Sequence, residues 1–69
     1  MDISTYLERA GLTQEEFARR LRVSPGLVWQ WIDGRTRVTP ERAKQIERKT
    51  EGAIKRHDLR PDIWEREPA

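Results

Sequence analysis

The chain has 69 residues, enough for one domain, and a domain of this size buries only about 60% of the surface that its unfolded chain exposes. It has no cysteine and one histidine, which excludes a disulfide framework, a thiolate metal site and a histidine metal cluster. The net charge is only +2, but residues 19–50 carry nine basic against three acidic side chains, so positive charge is concentrated in the middle of the chain and favours a polyanionic partner.

The first predicted element is an amphipathic helix over Ile3–Ala10. Four apolar residues recur at helical spacing and share one face: Ile3, Tyr6, Leu7 and Ala10. Gly11 is positioned to end the helix. We expect this helix to support the core, with Tyr6 as a wall residue rather than a ligand contact.

Two helices are predicted on either side of a tight corner. The first begins at Gln14, after a capping box in which Thr13 and Glu16 each accept a hydrogen bond from the other's backbone amide. The second begins at Pro25, after the acceptor side chain of Ser24, because proline has no amide to satisfy there and already has a helical φ. Only three residues separate the last apolar residue of the first helix from Pro25, which predicts a sharp corner.

The apolar positions predict how these two helices pack. The buried face of the first helix is expected to comprise Phe17, Ala18 and Leu21, and that of the second Val28, Trp31 and Ile32. Val23 is expected to fill the corner. The opposite face of the second helix has no aliphatic residue and carries Gly26, Trp29, Gln30 and Asp33. A helix buried on one face and exposed on the other is suited to lie in a DNA groove.

A polar loop and a fourth helix follow. The loop contains Arg35, Thr36 and Arg37, and its two arginines are expected to contact phosphate oxygens, with two merely solvated arginines as the alternative. Thr39 and Pro40 repeat the cap-and-proline start, so the fourth helix is predicted from Pro40 to about Lys49. Its narrow inner stripe is Ala43, Ile46 and Thr50, and Gly52 is the expected left-handed terminator.

After Gly52, the sequence predicts an extended segment followed by one helical turn before Pro61. It contains four apolar residues, Ile54, Leu59, Ile63 and Trp64. They either fold back over the four helices or meet their copies in a second chain. We expect the second arrangement, in which they form the surface of a weak homodimer. Residues 1–64 are expected to form the domain, and residues 65–69 a frayed tail.

Counted from Gln14, the chain matches the helix-turn-helix pattern of DNA-binding proteins. The apolar positions of the pattern are occupied by Phe17, Leu21, Val23, Val28 and Trp31, and its small position by Ala18. Arg22 departs from the pattern, because glycine in the left-handed region usually stands there. The segments V-S-P-G-L-V-W-Q-W-I-D-G, V-T-P-E-R-A-K-Q-I-E-R-K-T-E-G and H-D-L-R-P-D-I-W resemble phage Cro-type repressors, especially the branch of YdaS-like antitoxins, over roughly residues 3 to 64.

This resemblance implies an all-α, compact lambda-repressor-like helix-turn-helix domain of four to five helices with a short C-terminal tail. It also implies a sequence-specific DNA-binding transcriptional regulator, a repressor of prophage or mobile-element promoters that binds a near-palindromic operator with helix 25–33 in the major groove. The residues expected to contact bases are Pro25, Gly26, Trp29 and Gln30. Those expected to contact the DNA backbone are Gln14, Arg22, Ser24, Arg35, Thr36 and Arg37.

An alternative reading keeps the helix-turn-helix fold but assigns it to protein interaction. An antitoxin-like module would present Trp29 and Leu27 to a protein partner, as exposed aromatic residues often do. This reading stays open because the outward face of the third helix carries an indole and the acidic Asp33, which makes it a weakly basic surface.

The sequence predicts a soluble, cytoplasmic protein without catalytic activity. No apolar run approaches the ~18 residues that a membrane span needs, and the first residues, M-D-I-S-T-Y, lack the basic and apolar regions of a signal peptide. The nearest approach to an acid–base site is the pair His57 and Asp58, whose side chains, as sequence neighbours, are expected to point apart. We therefore expect no enzyme activity, metal, cofactor or membrane partner.

Overall fold

In a computed structural model, which describes residues 1–64, the chain forms five helices joined by short connections. In chain order they are α1 (Ile3–Ala10), α2 (Gln14–Leu21), α3 (Pro25–Asp33), α4 (Pro40–Lys49) and α5 (Arg56–Leu59). No strand occurs within the described residues. The predicted all-α fold of four to five helices is confirmed, whereas the expected frayed tail, residues 65–69, lies outside the described residues.

Side-chain caps determine where the first four helices begin. Thr13 Oγ1 accepts a hydrogen bond from the Glu16 amide at 3.1 Å, and Glu16 Oε1 accepts one from the Thr13 amide at 3.1 Å, so the predicted capping box is present. The other three capping side chains are Asp2, Ser24 and Thr39. Only the cap at Asp2 was not predicted. Because these contacts span three residues, the sequence is sufficient to locate each helix start.

The helices enclose one hydrophobic core. Its buried apolar residues are Ile3, Leu7, Phe17, Ala18, Leu21, Val28, Val38, Ala43, Ile46 and Ile54. The predicted inner face of α2 is confirmed, and on α3 Val28 is fully buried while Trp31 and Ile32 are half-buried against the core. The prediction for Ala10 is wrong, because Ala10 is exposed with its neighbour Gly11 at the end of α1.

The corner between α2 and α3 adopts the left-handed backbone that the sequence pattern predicts. Arg22 has φ 60° and ψ 42°, and its amide donates to the carbonyl groups of Ala18 and Arg19 at the end of α2. A residue with a Cβ atom in this region costs roughly 1–2 kcal/mol relative to glycine. A second residue of this kind, Glu51, has φ 53° and precedes the left-handed Gly52.

The segment after α4 folds back onto its own helices. Ile54 is 0% exposed, and its amide donates a 3.1 Å hydrogen bond to the hydroxyl of the buried Thr50. That hydroxyl in turn donates to the Ile46 carbonyl at 2.8 Å. The prediction that Ile54 lies on a dimer surface is therefore wrong, because the core of a single chain already buries it.

The other three apolar residues of this segment differ in exposure. Leu59 and Trp64 are half-buried against the core, which leaves only part of each for a second chain, whereas Ile63 is 44% exposed. Arg56 holds this segment to α4, because its Nη2 and Nε donate to Glu47 Oε2 at 2.8 and 3.0 Å. Hydrogen bonds from the side chain and the backbone amide of Arg56 lower the pKa of Glu47.

Candidate nucleic-acid interface

One face of α3 is exposed while the opposite face is buried. The exposed residues are Pro25, Gly26, Trp29, Gln30 and Asp33, which we call the recognition face. Trp29 is 45% exposed, whereas Val28, its neighbour in sequence, is 0% exposed because it lies in the hydrophobic core. All four residues expected to contact bases therefore lie on one surface, and packing against α2 sets the orientation of that surface.

The loop after α3 turns back onto the C-terminal end of the helix. Gly34 ends the helix with φ 77°, a left-handed conformation that glycine adopts without a steric penalty. The amides of Arg35 and Thr36 then donate to the Gln30 carbonyl at 3.0 and 3.4 Å. This brings the side chains of the loop beside the recognition face.

Thr36 contacts a residue of the recognition face directly. Its hydroxyl donates to Gln30 Oε1 at 3.0 Å. An amide oxygen has two lone pairs and the amide nitrogen two donors, so among residues 1–64 one acceptor site and both donors of Gln30 are left for a ligand. Thr36 was expected to contact the DNA backbone, and in the structure it orients a residue expected to contact a base.

Arg35 is held by two residues of the recognition face. Its guanidinium lies 5.0 Å from the centroid of the Trp29 ring, and its Nε donates to Asp33 Oδ2 at 2.6 Å. The side chains of Arg35 and Asp33 are 67% and 46% exposed, so the pair is open to a ligand. Asp33 partly offsets the positive charge of the arginine.

Arg37, two residues after Arg35, contacts the segment after α5. Its side chain is 77% exposed, and its Nη1 lies 3.2 Å from Asp62 Oδ2. Asp62 also accepts from Nε and Nη2 of Arg60 at 2.9 and 2.8 Å, while Nη1 of Arg60 donates to the Val38 carbonyl at 2.9 Å. The hydrogen bonds from Arg60, assisted by the charge of Arg37, lower the pKa of Asp62 to about 2.

Sequence reasoning missed the roles of Arg60 and Asp62. Together they fasten the segment after α5 to the loop that carries Arg37, across 25 residues of sequence. An arginine and an aspartate two positions apart on an irregular segment follow no periodic pattern. The sequence therefore held no signal that would have paired them with that loop.

The remaining residues expected to contact the DNA backbone are all exposed: Gln14, Arg22 and Ser24. Ser24 Oγ accepts from the Leu27 amide at 3.1 Å and caps α3, so its hydroxyl proton is the group left for a phosphate. Arg22 and Ser24 lie in the corner immediately before α3. Gln14 lies at the other end of α2, roughly 10 Å away along the helix axis.

Two side chains of α4 support the corner. Arg42 Nη1 and Gln45 Nε2 donate to the Leu21 carbonyl at 3.3 and 3.1 Å, and Arg42 Nη1 also donates to Gln45 Oε1 at 2.6 Å. Carbonyl groups at the end of a helix lack partners within the helix. Arg42, one of the nine basic residues between positions 19 and 50, therefore supports the helix-turn-helix.

Residues 1–64 contain neither a metal-binding cluster nor a membrane-spanning helix. Within residues 1–64, no group of three or more His, Cys, Asp and Glu side chains is arranged to hold a metal ion. No helix there is long and apolar enough to span a membrane. The prediction that His57 and Asp58 point apart is wrong, because His57 Nε2 lies 3.5 Å from Asp58 Oδ1. The Lys55 amide and the Met1 amino group also donate hydrogen bonds to Asp58 Oδ2, at 3.0 and 2.8 Å.

The sequence of the chain is also similar to those of known proteins. A family described as "Bacterial toxin YdaS" matches residues 3–68. The chain is also 48% identical over 50 residues to "Putative transcriptional regulator YdaS" of Escherichia coli (strain K12). The matched region covers 72% of the chain and 51% of that relative, so the chain spans about half the length of the curated protein. No solved structure gave a significant match.

Proposed function

The chain belongs to the YdaS family, and from this premise we propose that it is a sequence-specific DNA-binding regulator of transcription. In this proposal α3 enters the major groove and presents its recognition face to base edges. The relative designated as a transcriptional regulator supports the regulatory role. The likeness to Cro-type repressors supports repression of prophage or mobile-element promoters.

The observation that carries the proposal is the recognition face itself. Trp29 and Gln30 are exposed on a helix whose other face is buried, and such an arrangement exposes side chains to a groove without disturbing the core. A glutamine amide can pair with the donor and acceptor of adenine in the major groove. The exposed guanidinium of Arg37 at one end of α3, and Arg22 at the other, are suited to phosphates on either side.

We further propose that two copies bind a near-palindromic operator. One short helix reaches only a few base pairs, and proteins with this motif commonly place two recognition helices ~34 Å apart, one turn of DNA. The apolar surface for a second copy would come from Ile63, with the exposed edges of Leu59 and Trp64. Ile54 is excluded from this surface because it is buried. The proposal assigns the chain no catalytic step and no cofactor.

The test is selection of bound duplexes from a random DNA pool, followed by affinity measurements on the selected site at several salt concentrations. We expect one enriched motif with approximate two-fold symmetry. We also expect log affinity to fall with log salt by about 0.9 for each phosphate that the protein neutralises. A pool without enrichment, together with affinity that does not depend on salt, would contradict the proposal.

A protein-interaction module is the second candidate, and two observations favour it. Trp29 is 45% exposed and Leu27 is half-buried on the same helix, and the family description names a toxin, which DNA binding alone does not explain. In this case Trp29→Ala would abolish binding to the protein partner. The same variant would leave the weak binding to random DNA, and its salt dependence, unchanged.

A further inference from the structure

The arrangement of Arg35 differs from that of an arginine that only neutralises a phosphate. Its guanidinium lies over the Trp29 ring at 5.0 Å, and its Nε is occupied by Asp33 Oδ2 at 2.6 Å. Both partners belong to the recognition face. Two contacts on different sides of the group restrict its position and reduce the conformational entropy that it would lose on binding DNA.

The same two contacts leave one edge of the guanidinium available. Within residues 1–64 the hydrogen bonds of the Arg35 side chain involve only Nε, which leaves Nη1 and Nη2 as a pair of donors at its outer end. Such a planar fork matches two acceptors side by side. In the major groove, guanine presents this pair through O6 and N7.

The charge around Arg35 also favours contact with a DNA base over contact with a DNA phosphate. Asp33 Oδ2 adjoins the guanidinium, so a phosphate oxygen approaching Arg35 would also approach a carboxylate. The acceptors of guanine carry no formal charge and do not incur this repulsion. Arg37 also has an aspartate partner, Asp62 at 3.2 Å, but that partner lies on the segment after α5 and not on the recognition face.

We propose that Arg35 is a specificity-determining residue that donates from Nη1 and Nη2 to O6 and N7 of a guanine in each operator half-site. Asp33 and Trp29 act as positioning residues for its guanidinium. This inference rests on the proposed DNA-binding function and replaces the expectation that Arg35 contacts the DNA backbone. It adds the class of ligand, a half-site that contains a guanine within reach of the C-terminal end of α3.

The experiment uses the full chain and the operator selected by the wild-type protein. Affinity is measured for that operator and for its single-base variants, with Arg35→Ala, Asp33→Ala and the control Arg37→Ala. Arg35→Ala should bind the selected operator roughly 5- to 150-fold more weakly, and its preference for guanine at one position of each half-site should disappear. Arg37→Ala should weaken all sequences by the same factor.

The Asp33→Ala variant distinguishes two effects of Asp33: it positions the Arg35 guanidinium, and its negative charge repels DNA. It should reduce the preference for the same guanine while strengthening binding to random DNA, because a carboxylate next to the groove is removed. Helix content by circular dichroism checks folding, and it should be unchanged because both side chains are exposed and a carboxylate at a helix C-terminus is unfavourable. Equal loss on all sequences by Arg35→Ala would overturn the inference and identify a phosphate contact. A wild-type protein that selects no sequence would overturn the proposed function, and the inference with it.

Discussion

The hydroxyl of Thr36 donates a 3.0 Å hydrogen bond to the side-chain oxygen of Gln30, and this bond joins the loop after α3 to the recognition face. The two residues are six positions apart, and they meet because Gly34 turns the chain back onto the helix. The orientation of Gln30, a residue suited to read a base, thus depends on a residue outside the helix.

This bond predicts that Thr36 contributes to specificity through Gln30. Gln30→Ala should cost roughly 1–3 kcal/mol on the selected operator and relax preference at one position of each half-site. Thr36→Val, which keeps the shape but removes the hydroxyl, should relax preference at the same position by about 0.5–1.5 kcal/mol, the value of one hydrogen bond. Thr36→Ser is the matched control and should bind like wild type. Binding-site selection with the four proteins measures this, and equal affinity loss on all sequences by Thr36→Val would instead indicate a phosphate contact.

Arg37 and Asp62 predict opposite effects on the salt dependence of DNA binding. Arg37→Ala should flatten the slope of log affinity against log salt by about 0.9 per bound subunit, because one phosphate contact is lost. Asp62→Asn should strengthen binding to random DNA, because it removes a carboxylate 3.2 Å from Arg37. Arg9→Ala serves as the control, since Arg9 is exposed on α1 outside the helix-turn-helix. An unaltered slope in Arg37→Ala would place this arginine away from the DNA backbone.

Asp62 also predicts a pH dependence of folding. Hydrogen bonds from Arg60 lower its pKa from 3.8 to about 2, so the stability it contributes is fully present above pH 4 and is lost as the pH falls toward 2. Asp62→Asn should therefore be less stable than wild type at neutral pH and lose less stability between pH 4 and 2. Urea unfolding midpoints at several pH values test this. Glu8→Gln is the control, because Glu8 is exposed and its carboxylate has no partner among residues 1–64; parallel curves for wild type and Asp62→Asn would refute the assignment.

The region after α4 contains two isoleucines that differ in burial: Ile54 is 0% exposed and Ile63 is 44% exposed. The same substitution at the two positions should therefore have different effects on stability. Ile54→Ala should lower the free energy of unfolding by roughly 2–5 kcal/mol, because it opens a cavity in the core. Ile63→Ala should change it by less than about 0.5 kcal/mol, because that side chain is exposed. Urea denaturation distinguishes the two, and sedimentation of Ile63→Ala with DNA tests the proposed dimer. Equal, small effects of the two substitutions would show that Ile54 is not part of the core.

The left-handed conformation of Arg22 predicts that replacing it with glycine raises the stability of the fold and weakens DNA binding. Arg22→Gly relieves roughly 1–2 kcal/mol of left-handed backbone strain. It also adds about 0.5–1 kcal/mol of unfolded-chain entropy, so a net gain in stability of about 0 to 1.5 kcal/mol is expected. The same variant should bind DNA more weakly through loss of a basic side chain. Glu51→Gly is the control, because it relieves the same kind of strain outside the helix-turn-helix. Loss of stability in Arg22→Gly would mean that the arginine side chain makes a compensating contact.

The helices and the recognition face were determined by the sequence itself. The capping bond between Thr13 and Glu16 and the left-handed termini at Gly11 and Gly34 act within a few residues, so they need no knowledge of the fold. The exposed side of α3 follows in the same way, because helical geometry assigns each residue to a face before any partner is known. For this reason the starts of α2, α3 and α4 agree with their predicted positions.

Only the tertiary structure decided where the region after α4 lies and which partners the basic side chains have. Burial stabilises Ile54 equally well in its own core or against a second chain. The choice depends on how α4 and the hydrogen bond from the Ile54 amide to the Thr50 hydroxyl direct the backbone. In the same way Arg37 meets Asp62, 25 residues away, and Arg35 meets Trp29 only because the loop turns back on α3. Contacts between residues distant in sequence depend on the path of the whole chain, and no local pattern of residues encodes that path.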